Sequence, residues 1–267
     1  MINLKKLSII ALILLLIGAA GSLLTFRFTD RGILVSEEKT FTQNNITAVE
    51  VDSDNASVEI VPTKDPVTKV ELSGKGSKNT KQAFTANAEG NKLIIKLKEE
   101  HFKLFSFDFL TKSLTVKVSL PEKQYEAMEI DNDNGHVEVE DLEIKNLNAE
   151  TNNGHVELKN ILSDNVEVES DNGRLTLEQV SGKINGKTNN GKISIKTTDL
   201  DRPMKLDTDN GSIEVETEKE PSNVTFNVHV DNGRINILDK YSGNAVIGNG
   251  ENLIQLSTNN GRITVAK

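Results

Sequence analysis

One tripeptide returns seven times along this chain and limits what it can fold into. Asn-Gly, preceded each time by Asp or Asn, stands at Asn134-Gly135, Asn153-Gly154, Asn172-Gly173, Asn190-Gly191, Asn210-Gly211, Asn232-Gly233 and Asn260-Gly261. Successive glycines are 19, 19, 18, 20, 22 and 28 residues apart, the period of repeat architectures in which each unit buries its apolar face against its neighbours. Counted from each glycine as position zero, positions +2 and +4 are aliphatic in every copy, from Val137 and Val139 to Ile263 and Val265. Position −7 is apolar throughout, and position −3 is small and usually hydroxylated, as in Thr151, Ser170 and Thr188. Period two on both sides of the tripeptide describes a strand, a tight corner and a second strand, with one face inward.

Two architectures share this pattern. Asn-Gly between alternating strands is a hairpin signal, and an antiparallel meander of hairpins would keep the same residues inward. Coils stacked on one another instead place equivalent asparagines about 4.8 Å apart, where they form ladders. Only the stack gives a reason for seven identical asparagines, so the expected fold is an all-β solenoid, parallel β-helix-like, with coils of about 19 residues. The corner glycine is expected at positive φ, where a Cβ costs about 1–2 kcal/mol. With nine Phe, two Tyr and no Trp, the core must come from Val, Ile and Leu, the residues suited to strands.

The array occupies residues 128–267, and residues 48–127 are expected to be an irregular β lead-in or cap. Within that lead-in, residues 48–60 look like a decayed copy whose corner is Asp54-Asn55-Ala56, and residues 67–72, 93–97 and 114–120 alternate as strands do. Residues 102–109 hold four of the nine Phe. These rings are expected to fold over the open end of the array, because stacked repeats need a cap; the alternative is an exposed patch that touches a bilayer or a partner. Residues 28–47 read as a connector.

Residues 1–27 have the form of a membrane anchor. Lys5 and Lys6 precede residues 7–26, which carry no charge; twenty helical residues span about 30 Å, the thickness of a bilayer core. The basic flank favours the amino terminus inside and the repeats extracytoplasmic. A cleaved signal peptide, cut after Gly18 and Ala20, is the alternative, with a secreted product.

Composition removes several function classes. The formal charge is −9, and −12 beyond residue 27 (28 basic, 40 acidic), a field that disfavours nucleic acid. The absence of cysteine removes disulfides, thiolate zinc sites and a thiol nucleophile. No nucleophile elbow, phosphate loop or His-Glu-x-x-His motif is present. Two columns carry polar chemistry: position +1 (His136, His155, Arg174, Lys192, Ser212, Arg234, Arg262) and position −2 (Asp133, Asn152, Asp171, Asn189, Asp209, Asp231, Asn259). They describe either an anion or glycan groove or a solvated surface of weakly paired charges. His136 and His155 would be neighbours, but no third ligand is evident from the sequence, and the nonapeptide of calcium-loaded β-rolls is absent. No catalytic, cofactor-binding or metal-ligating residue is assigned, and no cofactor is expected.

Leu120-Pro121-Glu122-Lys123-Gln124-Tyr125, followed by Met128-Glu129-Ile130-Asp131-Asn132-Asp133-Asn134-Gly135-His136-Val137 and its recurrences, resembles the bacterial β-strand-repeat family labelled putative adhesins. With its basic start, single apolar span and repeats, the chain is similar in particular to LiaG-type proteins of Gram-positive bacteria, which are encoded beside a regulatory system that senses cell-envelope stress. The resemblance covers residues 45–267 and the anchor, and it implies no catalytic residues. The expected function is a non-enzymatic, membrane-anchored extracytoplasmic binding or accessory component of the envelope stress response, whose partner is an envelope protein or wall polymer. The alternatives are a carbohydrate-active enzyme on a β-helix and a structural or adhesive spacer.

Overall fold

A computed structural model of the chain describes residues 11–19, 21, 33–77, 79–98 and 113–267. Its strands are β1 (Ile33–Phe41), β2 (Ala48–Asn55), β3 (Ser57–Thr63), β4 (Thr68–Gly76), β5 (Phe84–Glu89), β6 (Lys92–Leu97) and β7 (Ser113–Pro121) in the lead-in. The array supplies β8 (Gln124–Glu140), β9 (Glu143–Lys159), β10 (Asn165–Glu178), β11 (Lys183–Thr197), β12 (Met204–Thr217), β13 (Val224–Ile237), β14 (Ala245–Ile247) and β15 (Asn252–Ala266). Each long strand from β8 onward runs through its Asn-Gly corner. Neighbours pair in parallel and in register, so that Asn134, Asn153, Asn172, Asn190 and Asn210 lie side by side. A hairpin meander requires antiparallel partners; the array is solenoid-like, coil upon coil.

The corner works through one extra residue. Pairing passes from Ser170↔Thr188 to Asn172↔Asn190 and skips position −2. That unpaired residue shifts the inward parity from odd positions before the corner to even positions after it, so both limbs face one core. Positions −7 and −3 and positions +2 and +4 are buried in coil after coil, for example Val166, Ser170, Leu175 and Leu177. Leu142, Ile161, Val180 and Leu200, on the connections back, join the same hydrophobic cluster.

The glycine is required for a different reason from the one expected. Among the corner glycines only Gly135 (φ 138°) has positive φ. A Cβ on Gly173 would lie 1.8 Å from the carbonyl oxygen of Gly154, and on Gly191, Gly211, Gly261 and Gly233 it would lie 1.6 Å from the neighbouring corner's carbonyl. Adjacent backbones approach too closely for any side chain. Left-handed backbone occurs instead six residues later, at Asp141 (φ 56°), Asn160 (φ 51°) and Gln179 (φ 53°), at a second corner with no glycine to mark it. Ala56 occupies position zero in the β2–β3 coil, and the level beyond it, formed by β6 and β7, has no Asn-Gly in its sequence. The need for glycine lapses there.

Both ends of the stack are built out of chain order. β15 lies between β12 and β13, pairing in parallel with each. At the other end the β2–β3 coil lies between the β6/β7 level and β8. Antiparallel strands then close the stack, β4 and β1 beyond β7, β5 beyond β6, and β14 beyond β13. Within residues 28–47, read as a connector, Ile33–Phe41 is strand β1. The Phe-rich residues 102–109, expected as the cap, lie outside the described residues. Of the expected anchor, residues 11–19 and 21 are helical, and the rest of residues 7–26 lies outside the described residues. Among the described residues no helix is long and apolar enough to cross a membrane.

Two predictions follow from this packing. Gly191→Ala should lower stability by about 3 kcal/mol or more, because a methyl group meets backbone that cannot step aside, whereas Ala56→Gly should cost about 1 kcal/mol or less; denaturant titration measures both. In this cysteine-free chain, Asn210→Cys with Asn260→Cys should form a disulfide on oxidation. Asn210→Cys with Asn232→Cys, about two strand spacings apart, should not.

Candidate binding surface

The corner asparagines form an unbroken ladder. Asn134 Nδ2 donates to Asn55 Oδ1 (3.0 Å), Asn153 to Asn134 (3.0 Å), Asn172 to Asn153 (3.1 Å), Asn190 to Asn172 (2.9 Å), Asn210 to Asn190 (3.1 Å), Asn260 to Asn210 (3.0 Å) and Asn232 to Asn260 (3.1 Å). Both polar ends of each internal amide are thus engaged by its neighbours. The motif serves the stack rather than a ligand.

The −2 column is a second ladder. In chain order it contains the succession Asp209, Asp231, which would set like charges side by side. Along the stack, with β15 inserted, it becomes Asp133, Asn152, Asp171, Asn189, Asp209, Asn259, Asp231, a strict alternation. Asn152, Asn189 and Asn259 donate to Asp133 (2.8 Å), Asp171 (2.7 Å) and Asp209 (3.1 Å). One oxygen of each of these three carboxylates is thus taken up by the neighbouring amide.

The +1 column points outward from the second limb and runs, in stack order, His136, His155, Arg174, Lys192, Ser212, Arg262, Arg234. Lys192 pairs with Glu214. Arg174, Arg262 and Arg234 are exposed and make no ion pair among the described residues. Arg262 and Arg234 are direct cross-strand neighbours, and with Ser212 and Glu214 they line a shallow groove of about 460 Å³. Arg234 and Arg262 belong to consecutive copies and are neighbours in either order; the reordering of coils places Arg262, rather than Arg234, beside Ser212.

At the opposite end of the column, His136 and His155 stack with ring centroids 5.1 Å apart and planes 11° apart. Glu157, which the sequence reading missed, lies two residues on from His155 and therefore on the same face. Its Oε2 is 3.4 Å from His155 Nε2 and 3.8 Å from His136 Nε2. Lys159 Nζ sits 2.7 Å from Glu157 Oε1 and 3.3 Å from Glu138 Oε1. Its hydrogen bond holds the Glu157 carboxyl below the usual range. Burial, and then the charges of His136 and Arg174, hold His155 below the usual imidazole value against the pull of Glu157. The available signal was His-Val-Glu in two successive coils.

The first limb carries an acidic column at position −4: Asp52, Asp131, Glu150 and Glu169, then Lys187. Lys98 neutralises its upper end through Asp52 (2.6 Å) and Asp54 (3.0 Å). Lower down, partial desolvation of the exposed Glu150 side chain raises its carboxyl above its ordinary value, helped by Asp131, Glu169 and Asp171 and opposed by Lys187. A carboxyl with a raised folded-state pKa binds protons more tightly in the folded chain. It therefore costs stability at neutral pH, and the cost fades as pH falls through the raised value toward the unfolded one. Glu150→Gln should raise the melting temperature at pH 7, and its advantage over the unmodified chain should shrink as the pH is lowered toward 4.5.

The sequence profile of the Toastrack DUF4097 family matches residues 46–183 and 145–266. No curated protein matches the chain. Among solved structures, the chain is similar to a "putative cell adhesion protein" from Clostridium sporogenes ATCC 15579, with 15% identity over 88% of this chain and 99% of that one and a TM-score of 0.44. It is also similar to a "putative adhesin" from Bacteroides fragilis NCTC 9343, with 13% identity over 88% and 96% and a TM-score of 0.44. The profile matches, which together span both the lead-in coil and the repeats, make the chain a member of the Toastrack DUF4097 family.

Proposed function

We propose that this protein is a non-enzymatic binding module of the bacterial cell envelope, held at the membrane by residues 7–26 with its repeats extracytoplasmic, and that it engages an anionic wall polymer along the +1 face. The observation that carries this reading is the run Arg174, Lys192, Ser212, Arg262, Arg234. Its members recur at one strand spacing on the outer face of stacked coils, with three guanidinium groups unpaired among the described residues. Guanidinium groups suit phosphate and carboxylate recognition through paired N–H donors. A repeating row suits a repeating ligand, because each added contact is made at high effective concentration. The overall charge of −9 repels a polyanion at long range, so contact on this face depends on the local row and is sensitive to salt.

The link to envelope stress rests on the resemblance of the amino end and repeats to LiaG-type proteins. A carbohydrate-active enzyme would differ in showing turnover of wall glycans that one carboxylate substitution abolishes. A spacer would tolerate replacement of the whole +1 column.

The test is co-sedimentation of the full-length protein, in detergent, with cell-wall sacculi that retain their anionic polymers and with sacculi stripped of them. Binding to the first and not the second is expected, with a loss of about tenfold or more in Arg234→Glu/Arg262→Glu and a steep fall with added salt. Equal retention by both preparations, or an unaffected double variant, would sink the proposal.

A further inference from the structure

We propose that His136, His155 and Glu157 form a binding site for a divalent transition-metal ion of the zinc class, with the fourth position open to water. The site would bridge two successive coils at the end of the +1 column away from the arginine pair. It is independent of polymer binding.

The stack assembles the donors in a way the linear sequence conceals. Position +1 supplies an imidazole and position +3 a carboxylate on the same outward face, and only the β8 and β9 coils carry His followed two residues later by Glu. In-register pairing sets His136 beside His155 and Glu138 beside Glu157. An ion with tetrahedral bonds of about 2.0–2.1 Å separates its ligand atoms by about 3.3–3.4 Å. Glu157 Oε2 stands 3.4 Å from His155 Nε2 and 3.8 Å from His136 Nε2, and Glu138 Oε2 stands 3.8 Å from His136 Nε2. Donor atoms of His136, His155 and Glu157 all lie within 4.8 Å of one another. The stacked rings need only tilt toward each other to close the remaining edge, and both are half-buried on the outward face rather than in the hydrophobic core.

The carboxylates are already oriented. Lys159 takes Oε1 of both glutamates and leaves each Oε2 turned toward the imidazoles. An outer partner that fixes a ligating carboxylate in this way is a recurring feature of metal sites. Two imidazoles and a carboxylate suit Zn2+ among abundant divalent ions, since the set is too nitrogen-rich for Mg2+ or Ca2+.

The experiment is titration of untagged full-length protein with Zn2+, followed by calorimetry and by melting temperature, with Co2+ as a spectroscopic probe of geometry. One equivalent of Zn2+ is expected to bind and raise the melting temperature, and Co2+ should give the intense visible bands of a four-coordinate ion. His136→Ala and His155→Ala should each weaken binding by about tenfold or more, and Glu157→Gln should do likewise. His229→Ala, which removes an imidazole remote from the cluster, should change nothing. Circular dichroism without metal shows whether each variant is folded; all four positions are surface positions, so folding should persist. No saturable binding up to about 100 µM Zn2+, or binding that survives loss of either His136 or His155, would overturn the assignment.

Discussion

Everything in this fold depends on how closely successive corners approach one another. Where a Cβ would lie 1.6–2.3 Å from the neighbouring carbonyl at the seven Asn-Gly corners, the backbones of adjacent coils can meet only if the corner that faces that carbonyl is glycine. That contact sets the height of each level. The asparagine beside it then reaches its equivalent in the next coil, and the ladder fixes which residue opposes which. A slip of one residue would break every hydrogen bond of the asparagine ladder and turn the apolar face outward. Register is therefore locked at the corner, and the core aliphatics fill a space whose dimensions are already decided.

Locked register turns the outer surface into columns of known height, and chemistry is distributed by column and by level. The inward positions carry the fold, while positions +1, +3 and −4 vary without touching it. That separation lets the two ends of one face differ: imidazoles and carboxylates over the β8 and β9 coils, guanidinium groups over β15 and β13. The same scaffold holds an acidic column on the other limb, where like charges stacked at one strand spacing are tolerated at some cost in stability.

Much of this was legible in the amino acids. Period two around each Asn-Gly identified the limbs, the inward positions and the asparagine ladder, because all three are local or recur identically. The reason for glycine was not legible: steric contact between coils and positive φ select the same residue, and only coordinates distinguish them. The second corner was hidden because Asp141, Asn160 and Gln179 take left-handed backbone without glycine. The order of coils was hidden because repeats are read along the chain, although the succession Asp209, Asp231 in an otherwise alternating column was a trace of it. Glu157 escaped notice for a related reason. Its partners lie in two coils, and a ligand set split between levels has no linear motif.

The inverted order at both ends has a consequence for how the molecule comes apart. In a simple stack the last coil touches one neighbour, so thermal opening peels it away at the expense of a single ladder. Here the chain's final strand, β15, is held between β12 and β13, and its first coil is held between β8 and the β6/β7 level. Releasing either of these segments breaks two parallel ladders at once. Of the strands beyond them, β4, β5 and β14 are continuous at both ends with strands deeper inside, whereas β1 is held by the β4 ladder alone. A ratchet of this kind opposes unravelling of the parallel coils, so that beyond the β1 edge the array loses its order as a block.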